Sequence, residues 1–446
     1  MSELHELCQF PNRPITSEYL TQLKYFLKEG IPATYTLEEA INYELGKEDE
    51  ELSSTTTPLH LICRSLPKDL TEEESKVVQE MIEELFSWGA GWNLIDDKGL
   101  TPGDILFDNG FRDSPFYQII VDAGVRAELL LRKINDGDYE FLSEDEGGDI
   151  QISQEEELLR KQIEEQSQQE ESEEPQKQEE VEEVEEKTEV PELVDDKVEQ
   201  LKQEFINDPA GTQSTFLNTK LIYKDGALIT DQQDGVMMDW ENEIMSKSCD
   251  TIFKSTFEKE TPEEDLEEIN VLNIGFGMGI IDTMIQAKNP THHYICEAHP
   301  DVLTKLEEDG WFTKPNVTVL KGRWQDTLPE LLTKGIFFNG IYYDTFSEHY
   351  TDMLDLFDLI VGLLKPSGIF SFFNGLGADR QIIYDVYKKI AEIDLNNYGL
   401  KITFEELETP KLTLKEFDNN DESIWNGIKR PYWRCQTYYH PEIRFY

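Results

Sequence analysis

The stretch that most narrows what this chain can become is Val271 to Gly279, VLNIGFGMG. Aliphatic and β-branched residues run straight into Gly275, Gly277 and Gly279, and an apolar helical pattern starts at Ile280. The reading is strand, tight turn, helix. Glycines let a backbone bend sharply, bring its N–H groups close to a ligand and set a helix N-terminus beside it. The same spacing also occurs in ordinary turns, so the apolar runs downstream decide between the two. Tyr294-Ile295-Cys296-Glu297 is a second apolar run ending in an acid, and an acid at the tip of the second strand is placed to hold a ribose diol. Val317 to Leu320 leads into Lys321-Gly322-Arg323-Trp324-Gln325-Asp326, where an aromatic and an acid can flank an adenine. Gly340-Ile341-Tyr342-Tyr343-Asp344 again carries an acid to a strand's carboxyl end. The order of parts is that of a nucleoside-binding α/β sheet with its chemistry at the switch point.

The 446 residues allow two or three domains, and 40 Lys+Arg against 93 Asp+Glu give a formal charge of −53. So acidic a chain repels nucleic acid and anionic membrane and attracts basic partners. No run is long enough to span a bilayer and none resembles a signal peptide, so a soluble intracellular protein is expected. The five cysteines, Cys8, Cys63, Cys249, Cys296 and Cys435, are odd in number and scattered. That suits reduced thiols better than a disulfide framework or a zinc site.

Residues 1–142 read as helical, with amphipathic runs Ser17 to Lys28 and Glu72 to Trp88. Thr57-Pro58-Leu59-His60 and the stretch from Gly89 to Pro102 resemble parts of ankyrin repeats, their spacing lengthened by an insertion around Pro67 to Ser75. His60 reads as a structural histidine, and such a front end as a partner-binding module. Residues 143–190 change character abruptly: Gln151 to Val190 holds 16 acids and four bases. That segment cannot bury enough apolar surface to offset its ordering entropy, so it reads as an acidic linker. The catalytic domain is expected over residues 191–446.

Ahead of the glycine turn, Met237, Trp240, Ile244 and Met245 fall at helical spacing, a pattern that reads as core. Glu241 reads either as an exposed helical acid or, combined with a nucleoside site, as part of a lid. His349, five residues after Asp344, reads as a surface-loop histidine ahead of a proton acceptor. His292-His293 finds no third ligand at metal spacing, so no metal is assigned. Asn374 to Asp379 reads as a loop, and Tyr432 to Tyr446 as an antiparallel strand.

Six motifs in order give the chain a specific resemblance: Met237-Met238-Asp239-Trp240-Glu241, Ile274 to Gly279, Cys296-Glu297, Lys321 to Asp326, Tyr343-Asp344-Thr345 and Leu364-Lys365-Pro366-Ser367-Gly368. They follow one another as in guanidinoacetate methyltransferase, and the whole chain resembles the fungal protein arginine N5-methyltransferases called type IV. The resemblance implies an α/β, Rossmann-like, S-adenosylmethionine-dependent methyltransferase domain of mainly parallel strands with a late antiparallel one, preceded by a helical ankyrin-like domain. It implies that Gly275, Phe276, Gly277, Met278 and Gly279 cradle the methionine part of S-adenosylmethionine. Glu297 would hold the ribose, Gly322, Arg323 and Trp324 would border the adenine, and Ala298, His299 and Asp344, the last next to the sulfonium, would also contact the donor. Tyr223, Met237 and Met245 would close over the donor from the N-terminal side. Asp344 and Glu241 would grip a protein arginine, with Asp344 favoured as proton acceptor, Glu241 for orientation, or the two sharing the task. The expected product is N5-methylarginine, ribosomal protein is among the expected substrates, and cytoplasm and nucleus are the expected compartments.

Overall fold

The computed structural model describes residues 2–47, 55–135, 211–257, 268–414 and 423–446. The acidic run 143–190 lies outside them. Among the described residues no helix is long and apolar enough to cross a membrane.

The front of the chain is a helical layer: α1 (Glu3–Leu7), α2 (Ser17–Lys28), α3 (Leu37–Leu45), α4 (Pro58–Ser65), α5 (Glu72–Ser87), α6 (Pro102–Asp108) and α7 (Pro115–Asn135). Its starts are written locally. Thr36, Thr71 and Thr101 each accept a hydrogen bond from the backbone N–H three residues on, while Glu39, Glu74 and Asp104 reach back to the cap. Thr57 and Thr101 precede Pro58 and Pro102, whose missing N–H costs nothing in a first turn. His60 is fully buried; Nδ1 meets the Thr57 backbone N–H and hydroxyl, and Nε2 lies 2.9 Å from the Leu94 carbonyl.

The second half begins with α8 (Gln213–Asn218) and a three-stranded antiparallel sheet, β1 (Leu221–Lys224), β2 (Ala227–Thr230) and β3 (Gly235–Met238). The helix expected through Met237 and Trp240 is not there. Met237 and Met238 pair with Leu228 and Ala227 across β2–β3, Asp239–Glu241 is a single 3-10 turn, and the helix, α9 (Asn242–Phe257), starts after it. Strand pairing has overridden a spacing compatible with both elements.

A seven-stranded sheet follows: β4 (Asn270–Ile274), β5 (His292–Glu297), β6 (Val317–Lys321), β7 (Phe338–Tyr343), β8 (Leu364–Phe372), β9 (Leu400–Glu408) and β10 (Thr437–Phe445). Its spatial order is β6-β5-β4-β7-β8-β10-β9. The first five strands pair in parallel, and β10 lies antiparallel between β8 and β9. Helices α10 (Ile280–Ala287), α11 (Pro300–Glu308), α12 (Trp324–Thr333) and α13 (Tyr350–Leu363) connect the parallel strands, and α14 (Gln381–Asn397) connects β8 to β9. Every residue of β7 is buried, as befits a central parallel strand covered on both faces. Strand order reverses at β4, so its carboxyl end and that of β7 open a crevice between them. The tail strand covers Thr437–Phe445, leaving Tyr432 and Trp433 in irregular chain beside the sheet.

The helical layer and the sheet share a core. Ile382, Val386 and Ile390, one stripe of α14, are buried among the apolar residues of α1 to α7. At about 1.5–3 kcal/mol for each fully buried side chain, this stripe contributes substantially. A Cβ on Gly103 of α6 would come within 2.4 Å of Ile382, so only glycine allows this approach. The rim is polar: the Tyr117 hydroxyl donates to Asp385 at 2.7 Å, Lys389 pairs with Asp122 at 2.7 Å, and Arg380 pairs with Asp104.

Candidate active site

The hydrogen-bond ladder continues past the strand ends and ties the tips together. Gly275 N–H donates to Cys296 O, Gly322 N–H to Glu297 O and Asp344 N–H to Ile274 O, each at 2.8 Å. Gly275 has φ of +93°, and a Cβ built on it would lie 1.8 Å from the Asp344 carbonyl oxygen. Chain conformation and space both require glycine here.

These tips rim a cleft. Gly275, Gly277, Glu297, Ala298, His299, Gly322, Arg323, Trp324, Asp344 and Met237 all line it. Tyr223 reaches the turn by donating its hydroxyl to Gly277 O at 2.9 Å. Met278 takes part through its backbone N–H, 3.3 Å from the Met237 sulfur. The Phe276 ring packs on Trp311 in the core and occupies the space beside Gly279, where a Cβ would meet it at 2.4 Å; both residues shape the turn from outside the cleft lining. Met245 is not brought to the cleft: it is fully buried beneath the sheet, where its sulfur accepts the Tyr342 hydroxyl at 3.4 Å.

Glu297 is 8% exposed. Its Oε2 accepts the Phe276 N–H at 2.9 Å and its Oε1 the His299 N–H at 2.6 Å. Burial raises the carboxyl's pKa, while backbone N–H groups of His299, Phe276, Ala298 and Gly277 act against that. The carboxylate thus fastens the glycine turn to the tip of β5. His299 caps α11: Nδ1 accepts the Asp301 N–H, and Nε2 faces the carbonyls of Phe216 and Thr219. Burial lowers its pKa, in keeping with a neutral ring. The glycine turn, the acid at β5 and Trp324 at the β6 turn fit an adenosyl group: at Gly275 and Gly277 a Cβ would strike Asp344 or Met237.

Of the two expected acids Asp344 lines the cleft, whereas Glu241 is buried outside the cleft lining. Glu241 is 2% exposed, which excludes the exposed helical reading. Its Oε1 accepts the Met238 N–H at 3.2 Å and the Tyr432 hydroxyl. Burial, and then the charge of Asp344, raise its pKa well above the usual carboxylate range. Asp344 lies at the cleft wall with Oδ2 sealed from solvent and accepting no hydrogen bond from the described residues. Burial, then the Asp282 charge, push it up to about 7.

An aromatic wall stands behind Glu241. Trp240 donates from Nε1 to the Tyr432 oxygen at 3.2 Å, and its ring lies 5.6 Å from Trp433 and 6.2 Å from Tyr432. Tyr438 accepts the Asn374 N–H at 3.0 Å and is raised by burial first and by Asp344 and Glu241 after its hydrogen bond. Neither Tyr432 nor Tyr438 had a sequence signal. Glu348, which collects side-chain donors beside Asp344, had one faint sign, its position four residues on. His349 is exposed and turns Nε2 to Gly211 O at 2.9 Å, outside the cleft lining. His293 is buried with Nε2 3.0 Å from Asp282, and no metal-holding cluster of His, Cys, Asp or Glu occurs among the described residues.

A mostly parallel sheet with one antiparallel strand let in near its edge, a glycine turn at the reversal of strand order and acids at successive strand tips together define a Rossmann-like methyltransferase. The family model described as Guanidinoacetate N-methyltransferase matches residues 236–443. Protein arginine N-methyltransferase 2 of Debaryomyces hansenii is 52% identical to the chain, covering 100% of it and 99% of its own length. The proteins of that name from Candida glabrata and Saccharomyces cerevisiae are each 48% identical, covering 100% of both chains. The chain belongs to the protein arginine N-methyltransferase 2 family.

Proposed function

We propose that this chain methylates the internal δ-nitrogen of arginine in proteins, with S-adenosylmethionine as donor. The observation that carries the reading is a pair of acids: the buried Glu241, raised by the charge of Asp344, and Asp344 itself, whose sealed Oδ2 accepts no hydrogen bond from the described residues. A guanidinium answers both needs. It is planar, carries five N–H donors and remains protonated, so paired carboxylates bind it by charge-assisted hydrogen bonds. Its charge also offsets their mutual repulsion.

The donor would be held by Gly275 to Gly279, Glu297 and Gly322 to Trp324, and it supplies an electrophilic methyl group when bound. Glu241 and Asp344 hold the two terminal amino groups, which leaves the internal nitrogen facing the cleft. Fixing the nitrogen in this way can supply several kcal/mol, up to about 7–11 in ideal cases. As that nitrogen gains a bond the guanidinium must shed a proton, and Asp344 accepts it from the amino group it holds while Glu241 keeps the plane of the group. The same resemblance extends the proposal to ribosomal protein among the substrates.

The test is methyl transfer from labelled S-adenosylmethionine to a cell extract, with mass analysis of the modified residue, for wild type and Asp344→Ala. Label on the arginine δ-nitrogen, absent in the variant, is expected. A second reading, methylation of a small guanidino acid, is favoured by the family model matched over 236–443. Label appearing only on guanidinoacetate would put that reading first, and no label on either would refute both.

A further inference from the structure

We infer that Glu348 is a positioning residue that sets Asp344 and the Trp324 border of the cleft in register with each other. Its carboxylate takes donors from three separate stretches of chain. Trp324 Nε1 lies 2.9 and 3.0 Å from its two oxygens, and Gln325 Nε2 3.1 Å from Oε1. The Tyr343 hydroxyl donates at 2.5 Å and the Thr345 hydroxyl at 2.6 Å, both to Oε2. Gln213 Nε2, from the first turn of α8, donates to Oε1 at 2.5 Å. Tyr343 and Thr345 are the residues on either side of Asp344.

The chemistry of these donors gives Glu348 its leverage. An indole N–H can only donate, so the plane of Trp324 follows the acceptor that receives it. Hydrogen bonds to an ionised acceptor are shorter and stronger than neutral ones, so hydroxyls on both flanks of Asp344 are pinned to the same charge. Gln213 and Trp324 line the cleft, whereas Glu348 does not. It therefore acts through its neighbours, fixing the distance between the end that holds the donor and the acid that meets the acceptor.

The inference rests on the proposed methyl transfer, so its test reads donor binding separately from turnover. Wild type, Glu348→Gln and Glu348→Ala are compared for binding of S-adenosylhomocysteine by calorimetry, for kcat at saturating donor, and for melting temperature. Glutamine keeps one oxygen for Trp324 and offers an amide to hydroxyls that can rotate to accept it. It should leave donor affinity within about threefold and lower kcat about tenfold. Alanine strands all the donors and should weaken donor binding about tenfold and lower kcat about 100-fold, the scale of an ångström's misplacement. A lower melting temperature with unchanged donor affinity and unchanged kcat per binding-competent site would reduce Glu348 to a structural acid. Should alanine fail to fold, unchanged kcat in the glutamine variant overturns the inference by itself. If wild type binds the donor but methylates no arginine, the proposed function falls while a shifted affinity in the variants still supports the link to Trp324.

Discussion

The two ends of the cleft are built by different means. The end proposed for the donor is backbone: glycines at the tip of β4, N–H groups collected by Glu297, and ladder bonds at 2.8 Å that tie the strand tips together. The end proposed for the acceptor is side chain: Asp344 from β7's tip at the cleft wall, with Glu241 from a 3-10 turn outside the lining and Tyr432, which lies 191 residues from the acid it touches. Backbone geometry suits a group that is the same in every turnover. Paired buried acids suit a single cation and reject anything that leaves them unpaired. The difference predicts that the two ends can be damaged separately.

The largest separation is expected from the acids. Asp344→Asn or Glu241→Gln should lower kcat by about 10²–10⁴-fold, the usual contribution of a positioned acid or base, while donor affinity stays within about threefold. Calorimetry beside steady-state kinetics checks this, and a large loss of donor binding in Glu241→Gln would break the comparison. Gly275→Ala should do the reverse. Left-handed backbone and a Cβ 1.8 Å from a carbonyl oxygen force the turn apart, costing roughly 3 kcal/mol or more in denaturant melts and abolishing donor binding. Tyr432→Phe removes one donor from Glu241 and strands the Trp240 N–H. We expect about 1–3 kcal/mol, seen in kcat/KM for the protein substrate with little change in donor affinity.

A pH series sharpens the contrast further. Burial raises Glu241 and Asp344 above their unfolded values, so between the unfolded and folded pKa values the folded protein holds protons the unfolded chain has released. Stability without substrate should therefore fall as pH climbs from about 4 towards neutrality, by about 1.4 kcal/mol for every tenfold by which folding weakens the acid. Asp344→Asn should flatten that slope in melts at about pH 5 and pH 8. Methyl transfer runs the other way, rising with pH as the acids ionise. The smallest effect expected is from Tyr117→Phe, which removes the hydroxyl bonded to Asp385. It should cost about 1 kcal/mol of stability and leave both ends of the cleft working.

What could be read from the sequence divides along the same line. The glycine turn, Glu297, Trp324 and Asp344 each sit at the end of a strand that announces itself in a few residues, and the structure gathers them at one cleft. The amphipathic runs Ser17 to Lys28 and Glu72 to Trp88 made two of the front helices legible for the same local reason, whereas the threonine caps were seen only in the structure. Met237 and Trp240 misled because a spacing of three or four residues does not tell a helix from a strand followed by a turn; the partner strand, β2, decided. Tyr432 and Tyr438 were invisible because nothing near them in the chain marks them, and only the fold brings them to Glu241. The stripe Ile382, Val386 and Ile390 shows that α14 buries a face, but a stripe does not name what covers it.

That stripe bears on how the molecule is made. Tyr117 and Asp385 are 268 residues apart in the chain and share a hydrogen bond. At a synthesis rate of about 5–20 residues per second, the front helices would emerge tens of seconds before the helix that completes their core. Over that interval the nascent chain carries an apolar socket with no plug.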